Sequence, residues 1–419
     1  MPRWLATSAS RVVTRHHRCL QRRRFSSQHH VETVAVRCAS SGSIDVNLHN
    51  VSQHKPSHPL VIYIPPFFQT GQASQAPLPA FLNSYPSAAI NYRWLDPSWT
   101  GHPTSHESQP SSPSQWPTPI HDVLFGYSWI LKHLAPAGDE RRDIYVYGSY
   151  LGASLAASLA LTESHQDQRM AVRGLLTYNG IYNWTMFLPD HPIHQRKSLA
   201  DALDDTSNYV EGSFFHYLRD ALPVLFSSPS GLFDPFASPS LFFRDPGLWT
   251  PDDFTTSLAS SPMTRAIDVL SSGSSASGDN AGSASGTSTE WDLKPPPKSY
   301  LTFPPRGSML KIPEALLLYE SPPAVQYAKV TRKRKTTSKA AKKRKILNNF
   351  EGQAMELGSF MRRSVEKYEF RDREDSGGAD VEAERRVQMR DAGAVEGDGT
   401  LGGAGQDIAY AWLQERIGR

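Results

Sequence analysis

The chain has 419 residues, with 44 Lys and Arg against 41 Asp and Glu, a formal net charge of +3 and 39 % hydrophobic residues. That length suffices for one large domain, or two smaller ones, around a buried core. Two cysteines, Cys19 and Cys38, exclude a disulfide scaffold, and no apolar run approaches the ~18 residues that would suggest a membrane span.

The charge is unevenly spread. Residues 1–31 hold seven arginines and no acid. Ser, Thr and Ala fill much of the rest, and the apolar core of a secretory signal is missing. The segment therefore reads as a mitochondrial transit peptide, and the expected location is the matrix. Arg23-Arg24-Phe25-Ser26 resembles a matrix-protease site, which places cleavage near Phe25.

Past the leader, residues 33–38 and 44–48 alternate apolar and polar around Ser-Ser-Gly and predict an antiparallel hairpin. Residues 59–64 (PLVIYI) and 88–92 are continuous apolar runs, the pattern of strands buried on both faces. A Ser/Pro/His-rich loop covers 99–119. The spacing predicts a helix over 122–134, with Val123, Tyr127, Ile130 and Leu134 on one stripe. Strand 143–147 runs into Gly148 and a small-residue helix over 152–162, and 173–178 is the next strand. Strands alternating with helices at this spacing imply an α/β fold with a mainly parallel sheet covered on both faces.

Residues 184–250 break the rhythm. They are rich in aromatics, carry a helix predicted over 214–222 and ended by Pro223, and read as a cap inserted after a core strand. Composition makes 256–308 a disordered Ser/Gly/Pro-rich insertion. The core resumes at strand 315–319. Helices over 353–365 and 406–417 follow, with a Gly- and acid-rich loop between them.

The informative stretch is 144–161, IYVYGSYLGASLAASLAL. A strand ends in Gly148-Ser149-Tyr150-Leu151-Gly152 and passes at once into a helix of small residues. That is the frame of a nucleophile elbow, a strained turn that exposes one side chain above the sheet. Around it stand Asn91-Tyr92-Arg93-Trp94, Pro117 and Pro119 with Asp122-Val123, and Asp234-Pro235-Phe236-Ala237-Ser238-Pro239, in that order. The ordered set resembles the hormone-sensitive-lipase-like (fold-3) esterases of the α/β-hydrolase superfamily. The resemblance covers roughly 32–250 and 312–419. It implies an α/β-hydrolase domain over 32–255 and 309–419, with a cap at 184–250 and carboxylic-ester hydrolysis as the ancestral chemistry.

The parts that such an esterase needs are missing together. The frame puts Tyr150 where the resemblance implies a nucleophilic Ser, and Ser149 falls on the side of the turn away from the pocket. The stretch matching the oxyanion loop is Ile64-Pro65-Pro66-Phe67-Phe68 with Gly71 beyond, and two prolines have no N–H to donate. The implied catalytic His belongs near the C-terminus, yet residues 217–419 contain none. After strand 315–319 the chain reads Glu320-Ser321-Pro322-Pro323 in place of Gly and Asp. Asp380 and Asp391 have no His to orient. An unactivated Ser is a poor nucleophile, so a non-catalytic binding or scaffolding protein is expected. The alternative is a carboxylic-ester hydrolase with a non-standard site, Ser149 or Ser154 as nucleophile and His121 or His216 as base.

Residues 329–345 hold ten cations and no acid, among them Arg332, Lys333, Arg334, Lys335, Lys342, Lys343, Arg344 and Lys345. Without these and the leader, the rest of the chain is near −14. The run resembles a bipartite nuclear-import signal, which makes the nucleus the alternative location. It could equally anchor the chain to RNA, in a mitochondrial RNA–protein assembly, or to anionic lipid. Few aromatics lie near it, which disfavours base stacking. The aromatic cap offers room for an apolar small molecule or a protein partner. No phosphate-binding glycine motif is present, and His191, His194 and His216 lack metal-ligand spacing, so no cofactor and no metal are expected.

Overall fold

The computed structural model describes residues 30–66, 77–94, 115–194, 213–255, 296–321, 347–370, 378–393 and 400–418. The leader up to residue 29, Phe67 and Gly71 of the oxyanion loop, residues 256–295 and the basic run 329–345 lie outside them.

Eight strands form one sheet: β1 (Val31–Arg37), β2 (Ser43–His49), β3 (Leu60–Ile64), β4 (Ser87–Asn91), β5 (Arg142–Ser149), β6 (Met170–Tyr178), β7 (Glu314–Tyr319) and β8 (Val387–Asp391). Their spatial order is β1-β2-β4-β3-β5-β6-β7-β8. β1 and β2 pair antiparallel, β2 lies antiparallel to β4, and every later pairing is parallel. That order, with its reversal at β3 and β4, is the α/β-hydrolase fold.

Alternation along the central strands explains the layers. Leu60, Ile62 and Ile64 of β3 enter one core, Val61 and Tyr63 the other. The first core is closed by α1 (Thr118–His133), α2 (Leu151–Thr162), the cap helix α3 (Phe214–Leu225) and α4 (Phe350–Ser364). The second is closed by the 80–85 turn and the last helix. Helices α5 (Ala379–Arg386) and α6 (Gly403–Ile417) complete the described set.

α2 is buried from Leu151 to Leu161 because it lies between sheet and cap. Its serines close on carbonyls, Ser154 on Leu151 and Ser158 on Phe236 of the cap. A helix with no solvent face needs small side chains and satisfied hydroxyls, and it has both.

Four expectations are corrected. α1 begins at Thr118 rather than residue 122, with Pro119 at an early position where its absent N–H is harmless. Pro223 does not end the cap helix, which runs to Leu225. Its last carbonyls are taken from outside: Gln115 Nε2 donates to Pro223 and Val224, while the Trp116 amide and Trp94 Nε1 both donate to Leu225. The loop expected between the last two helices contains α5 and the edge strand β8, whose sequence VQMRD is too polar to read as a core strand. Residues 296–308, assigned to the insertion by composition, are mostly exposed but anchored at two points: Tyr300 bridges Arg244, and Phe303 joins the first core.

Two buried polar contacts fix the frame. Arg93 grips fully buried Asp122 with two side-chain bonds of 2.9 and 2.7 Å, tying the end of β4 to α1. Arg142, at the start of β5, donates to His58 O and to Leu134 O at the end of α1. The bond to Leu134 caps the helix from inside the core.

Candidate functional site

The turn from β5 into α2 has the geometry of the elbow. Tyr150 sits at φ 51°, ψ −118°, a sparsely populated region for a residue with a side chain. The flanking glycines make the turn possible. A Cβ on Gly148 would lie 2.4 Å from Gly152 O, and one on Gly152 would lie 2.4 Å from Ile64 O and 2.5 Å from Pro65 O. Gly152 therefore marks where the end of β3 presses on the first turn of α2.

What stands on the elbow is an aromatic cluster. The Tyr150 ring meets Phe214 of α3 at 5.2 Å, Phe350 of α4 at 5.7 Å and Tyr178 of β6 at 5.7 Å between centroids, each edge to face. Phe215 packs on Phe350 at 4.9 Å and stacks on Phe187 at 5.8 Å. Tyr150 is buried. A ring this enclosed, with neighbours on three elements, fills the space above the elbow.

The polar groups around it are bonded to one another. Asn179, itself at φ 50°, follows β6; its Nδ2 lies 3.5 Å from Tyr150 Oη and 3.3 Å from Glu320 Oε2. Its Oδ1 accepts from the Glu320 amide at 2.9 Å. The Glu320 carboxylate, on the segment that resembles the acid position, thus faces an amide. Tyr150 also bonds the Tyr178 hydroxyl, and the Tyr178 phenol is pushed up first by burial and then by Tyr150 and Glu320. Burial likewise raises Tyr147. Phenols held in the neutral form are weak nucleophiles and poor bases.

The predicted alternative residues are not brought together. The Ser149 hydroxyl bonds that of Tyr147, and Ser154 closes on Leu151 O. His121 is exposed on α1, and His216 on α3 faces Asp220 at 3.3 Å and Arg219 at 3.1 Å. Pro65 is buried with its carbonyl accepting from Tyr92, and Pro66 is half-buried. Among the described residues no group of His, Cys, Asp or Glu is arranged to hold a metal, and no helix is long and apolar enough to cross a membrane. Cys38 is buried beside Asp122, and its thiol is pushed up to about 11, first by burial.

Sequence reasoning missed Asn179, Phe350 and the polar knot beneath the cap. In that knot Gln353 Oε1 accepts from the Tyr182 and Asn183 amides, and its Nε2 donates to Asn183 O and Asn348 Oδ1. Asn179-Gly180 directly after a strand is a turn signal, and it could have flagged the first of these.

Neither the family models nor the curated proteins match this sequence. Solved structures do resemble it. Carboxyl esterase 2 from the mycorrhizal fungus Tuber melanosporum aligns over 94 % of this chain and 87 % of its own, at 10 % identity and a TM-score of 0.44. The esterase from Pyrobaculum calidifontis aligns over 51 % of this chain at 16 % identity and a TM-score of 0.32, and the match spans 62 % of that esterase. EstE1, a thermophilic carboxylesterase cloned from a metagenomic library, aligns over 51 % of this chain and 64 % of its own, at 15 % identity and a TM-score of 0.35. These values carry no argument about activity, and the fold assignment rests on strand order and register.

Two outcomes are expected. Tyr150→Ala should destabilise the protein by about 3 kcal/mol through lost aromatic packing. Tyr150→Gly should cost about 1 kcal/mol less despite removing one more carbon, because only Gly relieves the positive φ. Urea unfolding of both variants measures the difference. His191 is held down to about 3, chiefly by burial and then by Lys298, His194 and Arg244. Its folded pKa lies below the unfolded one, so the unfolded chain takes the proton first and stability falls with pH. Unfolding at neutral pH and about pH 5 should show a loss of about 2 kcal/mol that His191→Asn removes.

Proposed function

We propose that this chain is a non-catalytic α/β-hydrolase-fold protein of mitochondria with a binding or scaffolding role. The observation that carries the reading is the occupant of the elbow. Tyr150 takes the strained position, its ring is enclosed by Phe214, Phe350 and Tyr178, and its hydroxyl meets the Asn179 amide and the Tyr178 hydroxyl. Acyl transfer needs a nucleophile, a base in contact with it and donors for the oxyanion. At this turn the described chain supplies two phenols, the Asn179 amide with Glu320 behind it, a Ser149 hydroxyl bonded to Tyr147, and two prolines.

The Arg-rich, acid-free leader supports the mitochondrial location. The basic run 329–345 falls between Glu320 at the end of β7 and Phe350 at the start of α4, two residues that both belong to the elbow's surroundings. A binding role for the cationic segment would therefore be tethered at the old active-site end of the sheet.

A fluorophosphonate probe should leave the purified full-length protein unlabelled, and Tyr150→Ser should remain unlabelled because the described neighbours of the elbow are an amide, a phenol and aromatic rings rather than an imidazole. Labelling of the natural chain that disappears in Ser149→Ala would instead establish an esterase with a non-standard site. Import into isolated mitochondria should shorten the chain near residue 25 and should be abolished by deleting residues 1–31. Nuclear accumulation that depends on 329–345 would overturn the location.

A further inference from the structure

Away from the elbow, residues 296–313 form a strip without a single acid. It carries Lys298, Arg306 and Lys311, and it exposes Tyr300 (49 %), Leu301 (45 %) and Met309 (57 %). Beside it, at the C-terminal end of α4 and the turn that follows, Arg363 and Lys367 are exposed as well. The strip and these cations are in contact. The Arg363 guanidinium lies 3.7 Å from the centre of the Tyr300 ring, and Tyr368 Oη bonds Thr302 at 3.3 Å. The helix dipole accounts for Arg363 and Lys367 at a helix C-terminus. It does not account for Arg306 or Lys311, nor for three large apolar side chains in solvent within ten residues.

We propose that this strip is a docking surface for an anionic lipid bilayer, on which Tyr300, Leu301 and Met309 enter the interface while the five cations meet lipid phosphates. Charge and shape both favour that occupant. Five cations gather here on a chain whose body is otherwise acidic, with three acids at the margin: Glu366 beside Arg363, Glu369 bonded to the Ile312 amide and Glu356 near Lys298. The cleft beneath Tyr300 and Leu301, floored by Phe243, Phe303 and Phe360, has a cavity volume of about 20 Å³, room for little more than a water molecule. A partner peptide would need a pocket for its anchor side chain, and a nucleic acid strand would need open ring faces, whereas Arg363 already covers Tyr300. A bilayer interface asks only that apolar and aromatic groups protrude among cations.

The test is flotation of the full-length protein with vesicles of phosphatidylcholine alone or mixed with phosphatidylglycerol. It is done in a background where the basic residues of 329–345 are replaced by Gln, so that the basic run cannot carry the binding. Association with the anionic vesicles only is expected. It should fall roughly tenfold or more in Arg306→Glu/Lys367→Glu and in Tyr300→Ser/Leu301→Ser/Met309→Ser. Unchanged far-UV circular dichroism and melting temperature would show that both variants fold, as exposed positions should allow. Equal binding to neutral vesicles, binding indifferent to both sets of substitutions, or no vesicle binding alongside co-purifying RNA released by Arg306→Glu/Lys367→Glu would each overturn the proposal.

Discussion

The contact between Gly152 and the carbonyls of Ile64 and Pro65 determines where everything else in this molecule can be. Strand β3 can run against the first turn of α2 only because no side chain intervenes. With β3 in that place, β5 lies beside it in parallel register, and the crossover from β5 must turn sharply above the sheet. The strained backbone of Tyr150 follows from this crowding. Close approach of two backbones, more than any side-chain contact, gives the fold its elbow.

The same constraint explains why the elbow keeps its shape with a tyrosine at its tip. A strained φ persists only if its surroundings hold it, and here they do so twice. The glycines below leave no other path, while the rings of Phe214, Phe350 and Tyr178 above reward a large flat side chain at this spot. Asn179 then links Tyr150 and Glu320 through hydrogen bonds. These bonds give the buried amide of Asn179 the partners that a buried polar group requires.

Much of this was legible in the sequence because it depends on local patterns. The continuous apolar runs around Ile62 and Leu317 gave the buried strands, and Gly148 and Gly152 with small residues after them gave the turn. The Tyr92-Arg93 and Asp122 pieces became the buried Arg93–Asp122 pair. What escaped depends on distant partners. β8 is a strand because β7 offers it an edge, and its own residues alternate too weakly to say so. Pro223 ends a helix in isolation; here the helix runs on to Leu225, and its last carbonyls are met by Gln115, Trp94 and Trp116, more than a hundred positions earlier. Phe350 joins the elbow through packing alone, which no spacing rule announces.

Those donors also set how the cap helix can move. Its C-terminal end is fastened at Pro223, Val224 and Leu225, while its other end rests on ring contacts through Phe214. A 12-residue helix is a lever of about 18 Å, so a swing of about 10° about the fastened end carries Phe214 about 3 Å. That distance lifts its ring off Tyr150 without breaking a single backbone hydrogen bond of the helix. The donors that fasten the helix sit at the end away from the elbow, so the ring above Tyr150 keeps its place through packing, with Phe215 and Leu218 buried behind it.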